Sequence, residues 1–205
     1  MAVIGANGSG KSTLLKLVNG LMKVSAGTVL VDGLDPARRP KEVRRHVEHV
    51  FTDPGAQLIM ATPLEEVELS LRASVSHRGE RRERALQILA DHGLSKVANR
   101  SVHALSGGER QLVSLASVLA VQPTIVIADE PTTLLDLRNR ILLSRAFDAL
   151  EQQLVVSTHD LDLASAMDRA LLIDDGELID DGHPDEVIAR YRAMMSDRAA
   201  AGNPR

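Results

Sequence analysis

The chain has 205 residues, 44% of them hydrophobic, enough to bury a sizeable core in one domain or in one core with an inserted subdomain. A net charge of −4 leaves no basic surplus for a nucleic-acid partner, and the absence of Cys excludes disulfides and thiolate metal sites. Phe51, Phe147 and Tyr191 are the whole aromatic complement, so the core is expected to be aliphatic and a base-stacking platform is not expected.

In chain order, Ala2–Ile4 predicts a first short buried strand, followed by a glycine-rich turn and a helix over Lys11–Val18 closed by Asn19-Gly20. Thr28–Val31 predicts a second strand, ending at the turn Asp32-Gly33, and Val47–Phe51 a third, with Phe51 buried. Residues 53–115 then read as helical. Thr62-Pro63-Leu64-Glu65 is a capping box with Pro at the first helical position, and Glu80–Asp91 predicts a charged helix closed by Gly93. Its Arg81, Arg82, Glu83 and Arg84 read as a solvated face. A helix from Ser106 to Ala120 precedes a strand at Thr124–Ala128; a helix over Leu137–Leu150 and strands at Leu154–Thr158 and Ala170–Ile173 follow. Apolar strands alternating with helices predict an α/β fold with a mostly parallel sheet. The expected organisation is an α/β core over 1–52 and 116–195, a helical subdomain inserted at 53–115, and a disordered tail at 196–205. The apolar stretch Leu112–Ala128 is broken by Gln122 and Pro123, and Gly5, Gly8, Gly10 and Lys11 stand where a signal peptide would need an apolar run. A soluble protein is expected, with any membrane role exerted through partners.

Four segments carry chemistry. Gly5-Ala6-Asn7-Gly8-Ser9-Gly10-Lys11-Ser12 matches G-x-x-x-x-G-K-[ST] at every fixed position, between a strand and a helix. The glycines let backbone N–H groups wrap phosphates, and the helix adds the positive end of its dipole. Lys11 is expected to reach the terminal phosphates of a nucleotide and the Ser12 hydroxyl to ligate Mg²⁺. The strand Ile125-Val126-Ile127-Ala128 delivers Asp129 and Glu130 to the sheet edge where ligands bind. Asp129 is expected to hold Mg²⁺ through water, and Glu130 to act as general base on the attacking water. Leu105-Ser106-Gly107-Gly108-Glu109 holds a capping box, but its two glycines cost roughly 1 kcal/mol each against Ala in a helix. That cost predicts that bare backbone at Gly107 and Gly108 must approach an anion. Ser157-Thr158-His159-Asp160, at the end of a strand, places His159 for a γ-phosphate contact.

These four segments, in this order, resemble the ATP-binding cassette ATPases over nearly the whole chain, the Leu105–Glu109 motif being the distinguishing one. The resemblance implies ATP and Mg²⁺ as ligands, bound by Gly5, Asn7, Gly8, Ser9, Gly10, Lys11, Ser12 and Thr13. It also implies that Ser106, Gly107 and Gly108 bind the ATP held by a partner subunit, in a homodimer or a heterodimer with a second such ATPase. His159 matches the family's switch histidine, and Pro131-Thr132-Thr133-Leu134-Leu135-Asp136 looks like its link between Glu130 and the subunit interface.

Phe51–Leu58, Pro63–Val67, Asp129–Asp136 and Asp181–Val187 are similar to the energy-coupling-factor importers, which take up biotin, cobalt or nickel. The expected partners are therefore a transmembrane coupling subunit and a substrate-capturing membrane protein, contacting residues 53–72. The expected location is cytoplasmic, on the inner face of the cell membrane. Two departures stand out. Thr52 occupies the position of the family's Mg²⁺-contacting Gln. The family's N-terminal antiparallel strands and adenine-stacking aromatic have no counterpart ahead of Gly5, so similar, weak binding of ATP and GTP is expected. Two alternatives to a transport ATPase stay open: a nucleotide-binding module with little hydrolysis, and a soluble cassette ATPase outside transport.

Overall fold

A computed structural model describes residues 1–202. In chain order the elements are β1 (Ala2–Ile4), α1 (Lys11–Val18), α2 (Pro40–His46), β2 (Val47–Val50), α3 (Pro54–Gln57), α4 (Pro63–Ser70), α5 (Arg78–Asp91) and α6 (Gly107–Leu119). They continue with β3 (Ile125–Asp129), α7 (Leu137–Asp148), β4 (Gln153–Ser157), α8 (Leu161–Ser165), β5 (Ala170–Asp174), β6 (Glu177–Gly182) and α9 (Pro184–Ala200). The chain clusters into two compact units, one of residues 1–40 with 155 onward, the other Lys41–Leu154. These divisions fall elsewhere than the expected 52/53 and 115/116.

In the first unit, β1 lies between β4 and β5 and runs parallel to both, with Val3 opposite Ser157 on one side and Leu171 on the other. All three β1 residues are buried, as parallel strands covered on both faces must be. β6 returns antiparallel to β5 through Asp175 and Gly176, whose φ of +48° and +81° suit the twist of a tight hairpin.

In the second unit, β2 and β3 pair in parallel from Val47 opposite Ile125 to Val50 opposite Ala128. Helices α4, α5 and α6 enclose a wholly aliphatic cluster that includes Leu64, Val67, Leu71, Leu89, Val113 and Ala116. Helices α4 and α6 start where the sequence places a cap, whereas α5 begins at Arg78, two residues before the expected Glu80, with His77 as its cap. Thr62 and Glu65 close a reciprocal box on α4, and Ser106 and Glu109 another on α6. Glu66 is buried and accepts the N–H groups of Ile59 and Met60 at 2.9 and 2.8 Å, fixing the turn that enters α4.

Three expectations are corrected. Thr28–Val31 is not a strand: Val31 and Leu34 exchange both backbone hydrogen bonds at 2.9 Å around the Asp32-Gly33 turn, so the turn closes on itself without a flanking ladder. Phe51 is not buried in β2. The Gln57 side chain takes its N–H at 3.0 Å, the strand ends at Val50, and the ring stands 38% exposed, edge-on to His49. The expected disordered tail is helical from Ser196 to Ala200, because α9, entered through Pro184, continues with good helix formers; residues 203–205 lie outside the described residues. No helix among the described residues is long and apolar enough to cross a membrane.

Candidate functional site

β1 ends at Ile4 and the chain turns at once into the glycine loop. Gly5, Gly8 and Gly10 all have positive φ, at +152°, +81° and +109°. A Cβ on Gly5 would stand 2.0 Å from the Ile173 carbonyl oxygen, so only glycine fits where the loop leaves the sheet. The β5–β6 hairpin supports the loop again further on. The Gly176 N–H donates to the Ser9 carbonyl at 2.8 Å, and a Cβ on Gly10 would meet the Gly176 Cα at 3.5 Å. Asp174, at the end of β5, is paired with Arg198 of α9, and the guanidinium holds its carboxyl below the usual carboxylate range. Arg198 thereby fixes the strand that carries the hairpin.

Lys11 is buried at the start of α1, and its ammonium donates to the carbonyls of Gly5 and Ala6 at 2.9 and 3.0 Å. It pins the loop into a ring over the helix N-terminus. Ser12 is half-buried, while Asn7, Gly8 and Thr13 are exposed. Ser9 Oγ is buried with no hydrogen-bond partner in the protein. An orphaned hydroxyl in a ring of glycines at a helix N-terminus fits a loop built to receive anionic oxygens.

His159 belongs to the same unit. The Thr158 N–H donates to the Val3 carbonyl at 3.1 Å, so His159 is the first residue beyond the pairing of β4 with β1. The pairing sets it, exposed, at the edge from which Gly5 departs. Behind it, the Asp160 N–H donates to Thr158 Oγ1, and the Asp160 carboxylate caps α8.

The second unit holds the acidic pair and the signature motif. Asp129 is buried at the last position of β3. Glu130 follows with φ +48°, a left-handed conformation that costs energy in a non-glycine residue, and its carbonyl accepts the Thr133 N–H at 3.3 Å. Thr52, just beyond β2, donates its hydroxyl to the Asp129 carbonyl at 2.7 Å. The hydroxyl thus ties the ends of β2 and β3 together. The loop from Pro131 to Asp136 closes with Asp136 capping α7 through the Asn139 N–H at 2.8 Å, and Arg140 Nε donates to the Leu135 carbonyl at 3.1 Å.

In the signature motif, Ser106 is exposed and caps α6. Glu109 N–H donates to Ser106 Oγ at 3.2 Å, and Ser106 N–H donates to the Glu109 carboxylate at 2.7 Å. That N–H is the main reason the Glu109 carboxyl titrates below its ordinary value; the Ser106 hydroxyl and the cations of Arg100 and Arg138 act the same way, while burial opposes them. Gly108 is buried against Asn139, which neither helix capping nor anion approach foretells from the sequence.

The glycine ring on a strand-to-helix turn, with an acidic strand end elsewhere on a parallel α/β framework, defines a phosphate-loop nucleotide-binding protein. The family described as ABC transporter matches residues 1–133. The biotin transport ATP-binding protein BioM of Rhizobium etli is 41% identical over 196 residues, covering 96% of this chain and 87% of the relative. The energy-coupling factor transporter ATP-binding protein EcfA1 of Levilactobacillus brevis is 37% identical over 200 residues, covering 95% and 72%. Among solved structures, cbiO1 of Clostridium perfringens, part of the transporter complex cbiONQ, superposes with a TM-score of 0.81 at 30% identity, over 97% of this chain and 82% of that one. A dimeric ATP-binding cassette bound to ADP and Pi after hydrolysis gives 0.77 at 33% identity, over 89% and 84%. The chain belongs to the ABC transporter family, as an ATP-binding cassette ATPase of the energy-coupling-factor type.

Proposed function

We propose that this chain dimerises around ATP and that its hydrolysis cycle powers a membrane importer of a vitamin or a transition-metal ion. The observation that carries the reading is the pinned glycine ring at Gly5–Ser12 in a chain whose relatives serve biotin and energy-coupling-factor transporters. Lys11 offsets charge on the terminal phosphates, and Ser12 and Asp129 are the residues that would hold Mg²⁺. Mg²⁺ would supply neutralisation of charge on the transferred phosphoryl group. Glu130 orients and deprotonates the attacking water, and His159 contacts the γ-phosphate.

The partner's ATP is met by Ser106 and the N-terminus of α6. Exposed Leu134 and Leu137, 63% and 74% accessible beside the acidic loop, support a protein surface there. The other partners are a transmembrane coupling subunit, docked on residues 53–72, and a substrate-capturing membrane protein. They hold the chain at the inner face of the membrane. Exposed Phe51 and Ile59 support that docking surface.

The test is steady-state phosphate release by the purified chain as its concentration is varied. Mg²⁺-dependent turnover whose specific rate rises with protein concentration is expected. A rate independent of concentration would refute the dimeric site, and absence of turnover, alone and with the membrane partners, would refute the enzyme.

A further inference from the structure

The second glycine of the signature motif has an internal neighbour that accounts for it. An ideal Cβ on Gly108 would lie 2.1 Å from Asn139 Cγ, 2.2 Å from its Oδ1 and 2.6 Å from its Cβ. Those atoms belong to the first turn of α7, one turn past the loop that carries Glu130. At Gly107 the situation differs: its Cβ would meet the Leu134 carbonyl oxygen at 3.5 Å and Leu135 Cδ2 at 4.0 Å, ordinary contact. In the first turn of a helix the N–H groups point along the axis, whereas Cβ points sideways. A methyl group on Gly108 would therefore leave the N–H end of α6 open and strike Asn139 instead.

The backbone at Asn139 is anchored. Its backbone N–H is the capping donor to Asp136, and the next residue, Arg140, donates to the Leu135 carbonyl. The carboxamide of Asn139 thus joins two pieces that the proposed mechanism uses separately. One is the loop from Glu130 to Asp136; the other is the N-terminal turn of α6 with Ser106.

Resting on the ATPase reading above, we propose that Asn139 is a positioning residue. It seats the N-terminus of the signature helix on the acidic loop, so that the two move as one body, and Gly108 is glycine to admit it. The contact is size-matched: a small residue on α6 receives a larger one on α7. Shortening Asn139 removes the seat, and enlarging Gly108 jams it. Doing both restores the fit.

The experiment is a double-mutant cycle in the full chain, read by phosphate release, by Mg·ATP affinity of dilute protein, and by thermal melting. Asn139→Ala is expected to lower kcat about fivefold with ATP affinity of the dilute protein unchanged, since an interaction outside the monomer's own nucleotide site is lost. Gly108→Ala should lower kcat at least about fiftyfold, and adding Asn139→Ala should return it to within about twofold of Asn139→Ala alone, a coupling far outside additivity. A double variant as inactive as Gly108→Ala overturns the proposal, because something other than Asn139 would then require the glycine. So does a double variant that recovers melting temperature but not kcat, or an Asn139→Ala protein with parental kcat. Failure of the ATPase reading is a separate result, visible as absence of turnover in the parent.

Discussion

The tightest steric constraint on the phosphate loop is at Gly5, and Gly5→Ala tests it directly. The added methyl would lie 2.0 Å from the Ile173 carbonyl oxygen and 2.7 Å from Ser9 Oγ, at φ +152°. The Ser9 hydroxyl can rotate away. The Ile173 carbonyl is backbone in β5, next to the last residue paired with β1 and itself paired with Leu178 of β6 beside a register shift, so it moves only with the strand. Non-bonded contacts settle near roughly 3.5 Å, so loop or strand must shift by about 1.5 Å. Overpacking of this kind costs about 1–3 kcal/mol. Holding a non-glycine residue at such a φ adds about 1–3 kcal/mol. The sum, about 2–6 kcal/mol, is a large part of the roughly 5–15 kcal/mol that holds a folded chain together. For a chain of this size each kcal/mol moves the melting temperature by about 2–4 °C, so a fall on the order of 5–20 °C is expected. Gly8→Ala is the control. Nothing lies within 4 Å of its Cβ, and only the backbone strain at φ +81°, about 1–2 kcal/mol, applies. Melting by circular dichroism and calorimetric titration with Mg·ATP check both variants. A Gly5→Ala protein that melts no lower than Gly8→Ala and binds ATP as the parent does would refute the reasoning.

Four further outcomes are expected. Lys11→Ala loses the pin to the Gly5 and Ala6 carbonyls together with the cation proposed to face the phosphates, so Mg·ATP titration should show at least about a hundredfold weaker binding. Glu130→Gln keeps shape without a base; it should retain ATP, accumulate ATP-bound dimer on size exclusion and lower kcat by about a hundredfold or more. Thr52→Gln releases the Asp129 carbonyl from its hydroxyl donor and supplies a longer amide; phosphate release should rise more in the assembled transporter than in the isolated chain. The Glu109 carboxyl is depressed in the folded state, so the stability its cap contributes is fully present above the ordinary value of 4.5 and is lost as pH falls through the lower folded value. Glu109→Gln should therefore lower the melting temperature at neutral pH and flatten the acid limb below about pH 4.5, so that variant and parent converge in acid.

The phosphate loop was legible because each of its glycines answers a local backbone demand that a fixed spacing encodes. The capping boxes at Thr62 and Ser106 were legible for the same reason: donor and acceptor are three residues apart. What the sequence hid is what distant segments impose. Gly108 reads from the sequence as admitting an anion; that it also lies against Asn139, 31 positions away, could not be read there. Phe51 looked buried because its strand was carried one residue too far; the N–H that would have continued it goes to Gln57. The β5–β6 hairpin had a local signal in Asp175-Gly176, yet its service to the loop depends on Ile173 and Gly176 meeting Gly5 and Ser9 across the fold. Thr28–Val31 shows the reverse error, in which a β-branched run next to a turn signal found no neighbouring strand to pair with.

The ion pair between Asp174 and Arg198 has a consequence for how this protein can vary over generations. The two residues are 24 positions apart, and the strand they brace carries the hairpin that donates to Ser9. Replacing either alone leaves a charge beside the phosphate loop's support without its counterpart. Drift at these positions should therefore be correlated, with acid and base lost together for a neutral pair or exchanged in sign, so that the far end of α9 carries a heritable record of a constraint set at the nucleotide.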